Sequence, residues 1–175
     1  MRILGRHQQS RAFIRSLAIT CHALDFSAER LFYSGTYRNA SEPVRAAYDE
    51  LLSRNLLHMA VAIRTNMYQG TLSDPDDRFL SPCGFLDVHQ GGAQESKRFT
   101  IKDVCDKIIH ATAIERDVNK PDEGRTVLEL RGKHGSQRWT LSISIELFCE
   151  YVLSWLDESE VKKAKRSGKQ RVAAT

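Results

Sequence analysis

Apolar residues recur at three- and four-residue spacing in four stretches of the chain and at alternate positions in a fifth. In the first stretch, Ala12, Phe13, Leu17, Cys21, Leu24, Ala28, Leu31 and Phe32 form one stripe behind Ser10, a residue type that caps helix N-termini. Gly35 and the polar residues 36–40 end it. Ser41 and Pro43 then open a second helix, Pro43 lying in the first turn, where its missing N–H costs nothing. Its stripe is Val44, Ala47, Tyr48, Leu51, Leu52, Leu56, Met59, Ala60, Ile63 and Met67, and Gly70 closes it. Two amphipathic helices joined by a short connection predict an antiparallel helical hairpin.

Residues 71–99 carry loop chemistry at 74–77 (DPDD) and at Gly91 and Gly92, with apolar Phe79, Leu80, Phe85, Leu86 and Val88 between. A loop of this length without structure is unusual in a compact domain. A short helix or strand is expected near 79–88, with a mobile segment near 89–97. Thr100 and Asp103 have the spacing of a capping box, which starts a short helix with Ile101, Val104, Cys105, Ile108 and Ile109 facing inward. The pattern then changes to period two over 114–118, 126–131 and 137–142, separated by turn-forming residues at 121–124 (PDEG) and 132–135 (GKHG). Ser144 caps a last helix carrying Ile145, Phe148, Val152, Leu153 and Leu156. The expected fold class is mainly α, a helical bundle with a small antiparallel β-hairpin or meander before the last helix. Residues 1–160 form a single domain, and 161–175 a basic tail without an apolar face, expected to be disordered.

Composition adds limits. A hydrophobic share of 41% and a charged share of 27% over 175 residues suit one globular domain with a real core. No apolar run approaches the roughly 18–20 residues of a membrane span, and no h-region follows the N-terminal charges, so neither membrane nor export is expected. Cys21, Cys83, Cys105 and Cys149 form no C-x-x-C pair and fit reduced thiols, which points to the cytoplasm. Of the 26 basic residues, six fall within 162–171, which leaves 20 against 22 acids, so the formal charge of +4 belongs to the tail. The body carries about −2, which does not support a protein-wide basic surface for nucleic acid, so any such surface is local.

Enzyme templates are mostly absent: there is no G-x-S-x-G, Walker glycine loop or H-E-x-x-H. The six histidines are dispersed, and their spacing defines no metal constellation. No cofactor is expected. The most informative segments are residues 100–111 (TIKDVCDKIIHA), 127–139 (VLELRGKHGSQRW) and 148–153 (FCEYVL). Together they resemble the HEPN superfamily, and more narrowly a divergent bacterial branch with a helix of the form C-[ND]-K-I-I-H-A followed by a hairpin. The resemblance covers about residues 98–156.

It implies a small helical bundle, often a homodimer, of a kind found in toxins, phage defence and RNA processing. Active members are metal-independent ribonucleases with an arginine, a polar residue after it, and a histidine about five positions after the arginine. By position, Asp106 takes the polar site and His110 the histidine site, while Cys105 stands where the arginine belongs. RNA cleavage without metal needs the 2′-OH as nucleophile, a group titrating near neutrality and a cation on the phosphate. His110 is the candidate proton shuttle, Asp106 its orienting partner, and Lys102 or Arg54 the phosphate contact. The competing reading of His110 is a cap at the end of a short helix, with Asp106 one turn away as its structural partner.

Arg54, Asn55 and His58 approach the same signature one residue short, with a polar stripe between helices as the alternative. Arg131, Lys133 and Arg138 beside Trp139 mix cations with an aromatic, as single-strand-binding surfaces do; the other reading packs Trp139, which alternates with Leu141 and Ile143, on the core and leaves the cations as solvated surface. Two functions follow. One is a HEPN-like protein binding or acting on RNA in a defence, toxin or stress setting. The other is a non-catalytic interaction module (an inhibitor, antitoxin or accessory subunit) that keeps the bundle without the arginine.

Overall fold

The computed structural model describes residues 7–28, 31–32, 41–72, 84–89, 99–116, 127–135 and 137–172, with the backbone alone at 84–89, 116, 134, 163 and 165–172. Its elements are α1 (Arg11–Ala28), α2 (Glu42–Tyr68), β1 (Gly84–His89), α3 (Ile101–His110), β2 (Ala113–Arg116), β3 (Val127–His134), β4 (Gln137–Ser144) and α4 (Ile145–Val172). The fold is mainly α with a small antiparallel sheet ahead of the last helix.

Each helix start reflects local chemistry. Ser10 Oγ accepts the Phe13 N–H at 3.0 Å, which satisfies one of the free donors at the start of α1. Pro43 sits in the first turn of α2. At α3 the capping box closes in both directions: Thr100 Oγ1 accepts the Asp103 N–H at 3.2 Å, and Asp103 Oδ2 accepts the Thr100 N–H at 2.9 Å. Ser144 Oγ accepts the Leu147 N–H at 3.4 Å as β4 passes directly into α4.

The buried stripe of α1 is Ile14, Leu17, Ala18, Cys21, Asp25 and Ala28, which leaves Phe13 exposed. The α2 stripe runs from Tyr48 through Leu52, Leu56, Met59 and Ile63 to Asn66, with Val44 and Leu51 outside it. The two helices run antiparallel, since Gln9 meets Asn66 at one end and Leu24 meets Tyr48 at the other. Buried Asn66 acts there as a backbone mimic: its Oδ1 accepts the Gln9 N–H at 2.9 Å, and its Nδ2 donates to the Gln9 carbonyl at 2.8 Å. At the other end, Tyr48 Oη donates to the Leu24 carbonyl at 2.9 Å.

The sheet order is β1-β4-β3-β2, antiparallel throughout. Leu128 and Leu130 of β3 and Trp139, Leu141 and Ile143 of β4 turn one face into the core. That face joins Ile101, Val104, Cys105 and Ile108 of α3 and Phe148, Val152 and Leu156 of α4 in one continuous apolar cluster.

The short helix or strand expected near 79–88 is strand β1, which makes the sheet four-stranded, while two other expectations change. Beyond His89, the expected mobile segment lies outside the described residues, as do residues 36–40 and 121–124. The turn expected at 132–135 is tighter: β3 continues to His134, which pairs with Gln137, and Gly135 supplies the positive φ of 60°. The chain expected to be disordered beyond residue 160 is helical to Val172. Lys, Arg, Gln and Ala are strong helix formers, so a segment without an apolar face still continues a helix nucleated upstream.

Candidate site on the outer face of α3

Lys102, Asp106 and His110 follow one another at four-residue intervals on α3. Each step turns the helix about 40° beyond a full revolution, so the three share one side. Cys105, Ile101, Val104 and Ile108 take the opposite side and are buried. Lys102 and Asp106 are half-buried, and His110, the last residue of the helix, is exposed.

No hydrogen bond joins Asp106 to His110 among the described residues. The partner of Asp106 is Arg64 of α2, whose Nε donates to Asp106 Oδ1 at 2.5 Å. Arg64 Nη1 also lies 3.9 Å from Met67 Sδ. An arginine is therefore present beside the polar position of the α3 motif, supplied by a neighbouring helix rather than by residue 105. With the Nε–H given to Asp106 and Nη1 donating to Met67 Sδ, Nη2 is the guanidinium nitrogen left to meet an anion. The geometry is that of a planar fork, which a lysine does not reproduce.

Cys105, at the signature's arginine position, faces the core. Burial pushes its thiol up, the Asp106 charge adds to this, and Arg64 opposes it. Such a thiol is inert toward acid–base or nucleophilic work near neutrality. Arg54 and His58 lie exposed on α2. Arg54 precedes Arg64 by ten residues, or about 15 Å along the helix axis. Asn55 spends its amide on the Leu51 carbonyl of its own helix at 2.7 Å.

The hairpin cations occupy a different face. Gly132 and Trp139 are paired across β3 and β4 and turn inward toward α3, so the alternation of the strands sends Arg131, Lys133 and Arg138 outward. A Cβ at Gly132 would run into the Trp139 ring and stand 3.0 Å from the His110 carbonyl oxygen. Lys107 Nζ covers the Trp139 ring at 4.2 Å. Trp139 is thus a core residue held between a glycine and a cation, not a base-stacking platform.

Arg131 is engaged by Glu129 at 2.8 Å and Glu115 at 3.0 Å, and its pKa is raised by the hydrogen bond to Glu129 and the charge of Glu115. Lys133 and Arg138 stand directly opposite each other, both exposed. Like charges in that position cost a few tenths of a kcal/mol, which a bound anion would offset.

A second cluster joins α1 and α4. Arg15 donates to Asp157 at 2.6 Å and contacts Glu160 at 3.3 Å, and these partners raise its pKa. Seven residues further along α1, His22 lies beside Glu146 and Glu150, the ligand atoms of the three all within 4.8 Å of one another. Beneath them, buried Cys149 is pushed well up by its hydrogen bond with Cys21, then by burial, with the charges of Asp25 and Glu150 adding to the effect. Histidine spacing alone had given no metal constellation, because this one is assembled from residues more than a hundred positions apart.

No helix among the described residues is long and apolar enough to cross a membrane. No protein-family model, curated protein or solved structure matches the chain. The class that the fold defines is a four-helix protein, among the described residues, with a four-stranded antiparallel sheet built before its last helix. The likeness to the HEPN superfamily rests on the residues quoted above alone.

Proposed function

We propose that this chain is a HEPN-like protein acting on RNA through the outer face of α3, in a defence, toxin or stress setting. The observation that carries the reading is the convergence of Arg64 on Asp106, one turn before the exposed His110. It sets a cation beside the polar residue of a helix whose own arginine position is taken by buried Cys105.

In this reading the guanidinium of Arg64 binds the scissile phosphate and stabilises the charge that develops on it. The 2′-OH of the preceding ribose attacks phosphorus, and the bond to the 5′-oxygen of the next nucleotide breaks. The products are a 2′,3′-cyclic phosphate and a free 5′-OH. Neutral His110 accepts the 2′-OH proton, or its protonated form supplies one to the departing 5′-oxygen, and water serves the other transfer. Asp106 positions Arg64 rather than His110. Lys102, one turn earlier, adds charge for the neighbouring phosphate, and Lys133 and Arg138 provide a separate outward anion contact. Arg54 and His58, exposed earlier on α2 and turned away from Arg64, lie outside this contact.

The second reading, a non-catalytic interaction module working as inhibitor, antitoxin or accessory subunit, is favoured by Cys105. Its burial leaves the signature's arginine position without chemistry. A homodimer is compatible with either reading. Fluorescence anisotropy with labelled single-stranded RNA distinguishes them. The RNA reading expects binding that weakens on the order of tenfold or more in Arg64→Gln and loses about one unit of salt slope. The interaction module expects no RNA binding by the wild type.

A further inference from the structure

On the side of the molecule formed by α1 and α4, away from the α2–α3 contact, His22, Glu146 and Glu150 meet. The two glutamates are one turn apart on α4, and the histidine reaches across from α1. His22 Nε2 lies 4.0 Å from Glu150 Oε1, with 35% and 57% of the two side chains exposed. We infer that these three residues form a binding site for one divalent first-row transition cation of the zinc class, which ties α1 to α4.

The donor set selects that class. One imidazole nitrogen and two carboxylate oxygens suit zinc and its neighbours. Magnesium and calcium prefer all-oxygen shells, and a soft cation such as copper(I) prefers sulfur. A tetrahedral ion about 2.0–2.1 Å from each donor holds the donors about 3.3 Å apart. Spacings within 4.8 Å need only small rotations of side chains that are not fully packed.

The backbone beneath is already fixed. His22 and Glu150 are the immediate neighbours of Cys21 and Cys149, which are buried and in contact across the helix seam. The helices therefore need not move to receive the ion. Glu146 and Glu150 repel each other at i and i+4, and a divalent charge between them reverses that cost. Three protein ligands leave the fourth position to water, the coordination pattern of an open site.

The test uses the full chain stripped with a chelator and titrated with zinc alone at pH 7.5, by calorimetry and by thermal unfolding. One saturable site and a rise in Tm are expected, since an ion that binds only the folded state stabilises it. His22→Ala and Glu150→Gln should each weaken binding on the order of tenfold or more, while their Tm without zinc stays near that of the wild type. At pH 5.5 proton competition for the ligand atoms should weaken binding in the wild type. Cobalt(II) as a spectroscopic stand-in should give tetrahedral ligand-field bands without a thiolate charge-transfer band. Absence of any heat and any Tm rise overturns the proposal. Undiminished zinc binding in both variants, or a thiolate band with cobalt, also overturns it.

Discussion

Arg64 of α2 and Asp106 of α3 are joined by a 2.5 Å hydrogen bond from Nε to Oδ1, across 42 residues of sequence. With 30% and 38% of their side chains exposed, the pair belongs to a solvent-facing seam. Ion pairs of that kind contribute about 0.2–1 kcal/mol. A double-mutant cycle with Arg64→Gln and Asp106→Asn should therefore give a coupling in that range by urea unfolding. A coupling of several kcal/mol would mean that the pair is structural and that the site reading misplaces its role.

Asn66 holds the start of the chain onto the end of α2 by pairing with both backbone groups of Gln9. Asn66→Asp keeps the shape but replaces the donor with a second oxygen facing the Gln9 carbonyl. Loss of a buried hydrogen bond with an unsatisfied partner costs about 1–3 kcal/mol. Denaturant unfolding should show at least that loss, and Asn66→Asp should be worse than Asn66→Ala. Equal stability of Asn66→Asp and the wild type would disprove the pairing.

Gly132 allows the Trp139 ring to lie flat against β3 and lets the end of α3 approach the strand. A methyl group there overlaps the ring, so Gly132→Ala should cost about 1–3 kcal/mol as an overpacked core position. The same substitution at Gly135, where nothing lies within 4 Å, meets only the strain of its positive φ. Trp139 fluorescence should shift in Gly132→Ala and not in Gly135→Ala, and the reverse pattern would refute this packing.

Cys105 and Cys149 have thiols pushed above their ordinary value of 9.0, Cys105 chiefly by burial and Cys149 chiefly by its hydrogen bond with Cys21. Because the folded-state pKa is raised, this stability is fully present below the unfolded-state value and is lost progressively as the pH rises from there toward the folded-state value. Stability should thus decline above about pH 9, with a slope of up to about 1.4 kcal/mol per pH unit for each thiol. Replacing Cys105 with Ala should lower the whole curve through the cavity it leaves and flatten this decline. An unchanged slope in that variant would show that the thiol is not held neutral.

Much of this architecture is legible locally. The capping box at Thr100 and Asp103, the proline entry to α2 and the alternation through β3 and β4 are each written within a few residues. What depends on distant pairing is not. The strand character of β1 is completed by β4, whose partner residues lie between 49 and 59 positions away. Gly132 reads as a turn residue because glycine marks turns, yet its use here is to make room for Trp139.

The candidate site divides in the same way. Lys102, Asp106 and His110 are visible as one helical face. Arg64 is not, because nothing near it in the chain marks it apart from other polar positions of a long amphipathic helix. The α1–α4 cluster is invisible for the same reason. The continuation of α4 beyond residue 160 escaped expectation because a missing apolar face speaks against packing, not against helix formation.

The central claim is that His110, with Arg64 supplying the phosphate contact, performs metal-free cleavage of RNA. Single-turnover cleavage of a 5′-labelled RNA in EDTA, comparing the wild type with His110→Ala and Arg64→Lys, tests it most directly. The account predicts wild-type products ending in a 2′,3′-cyclic phosphate, with losses of about a hundredfold or more in each variant. An inert wild type, or a His110→Ala variant that cleaves equally well, contradicts it.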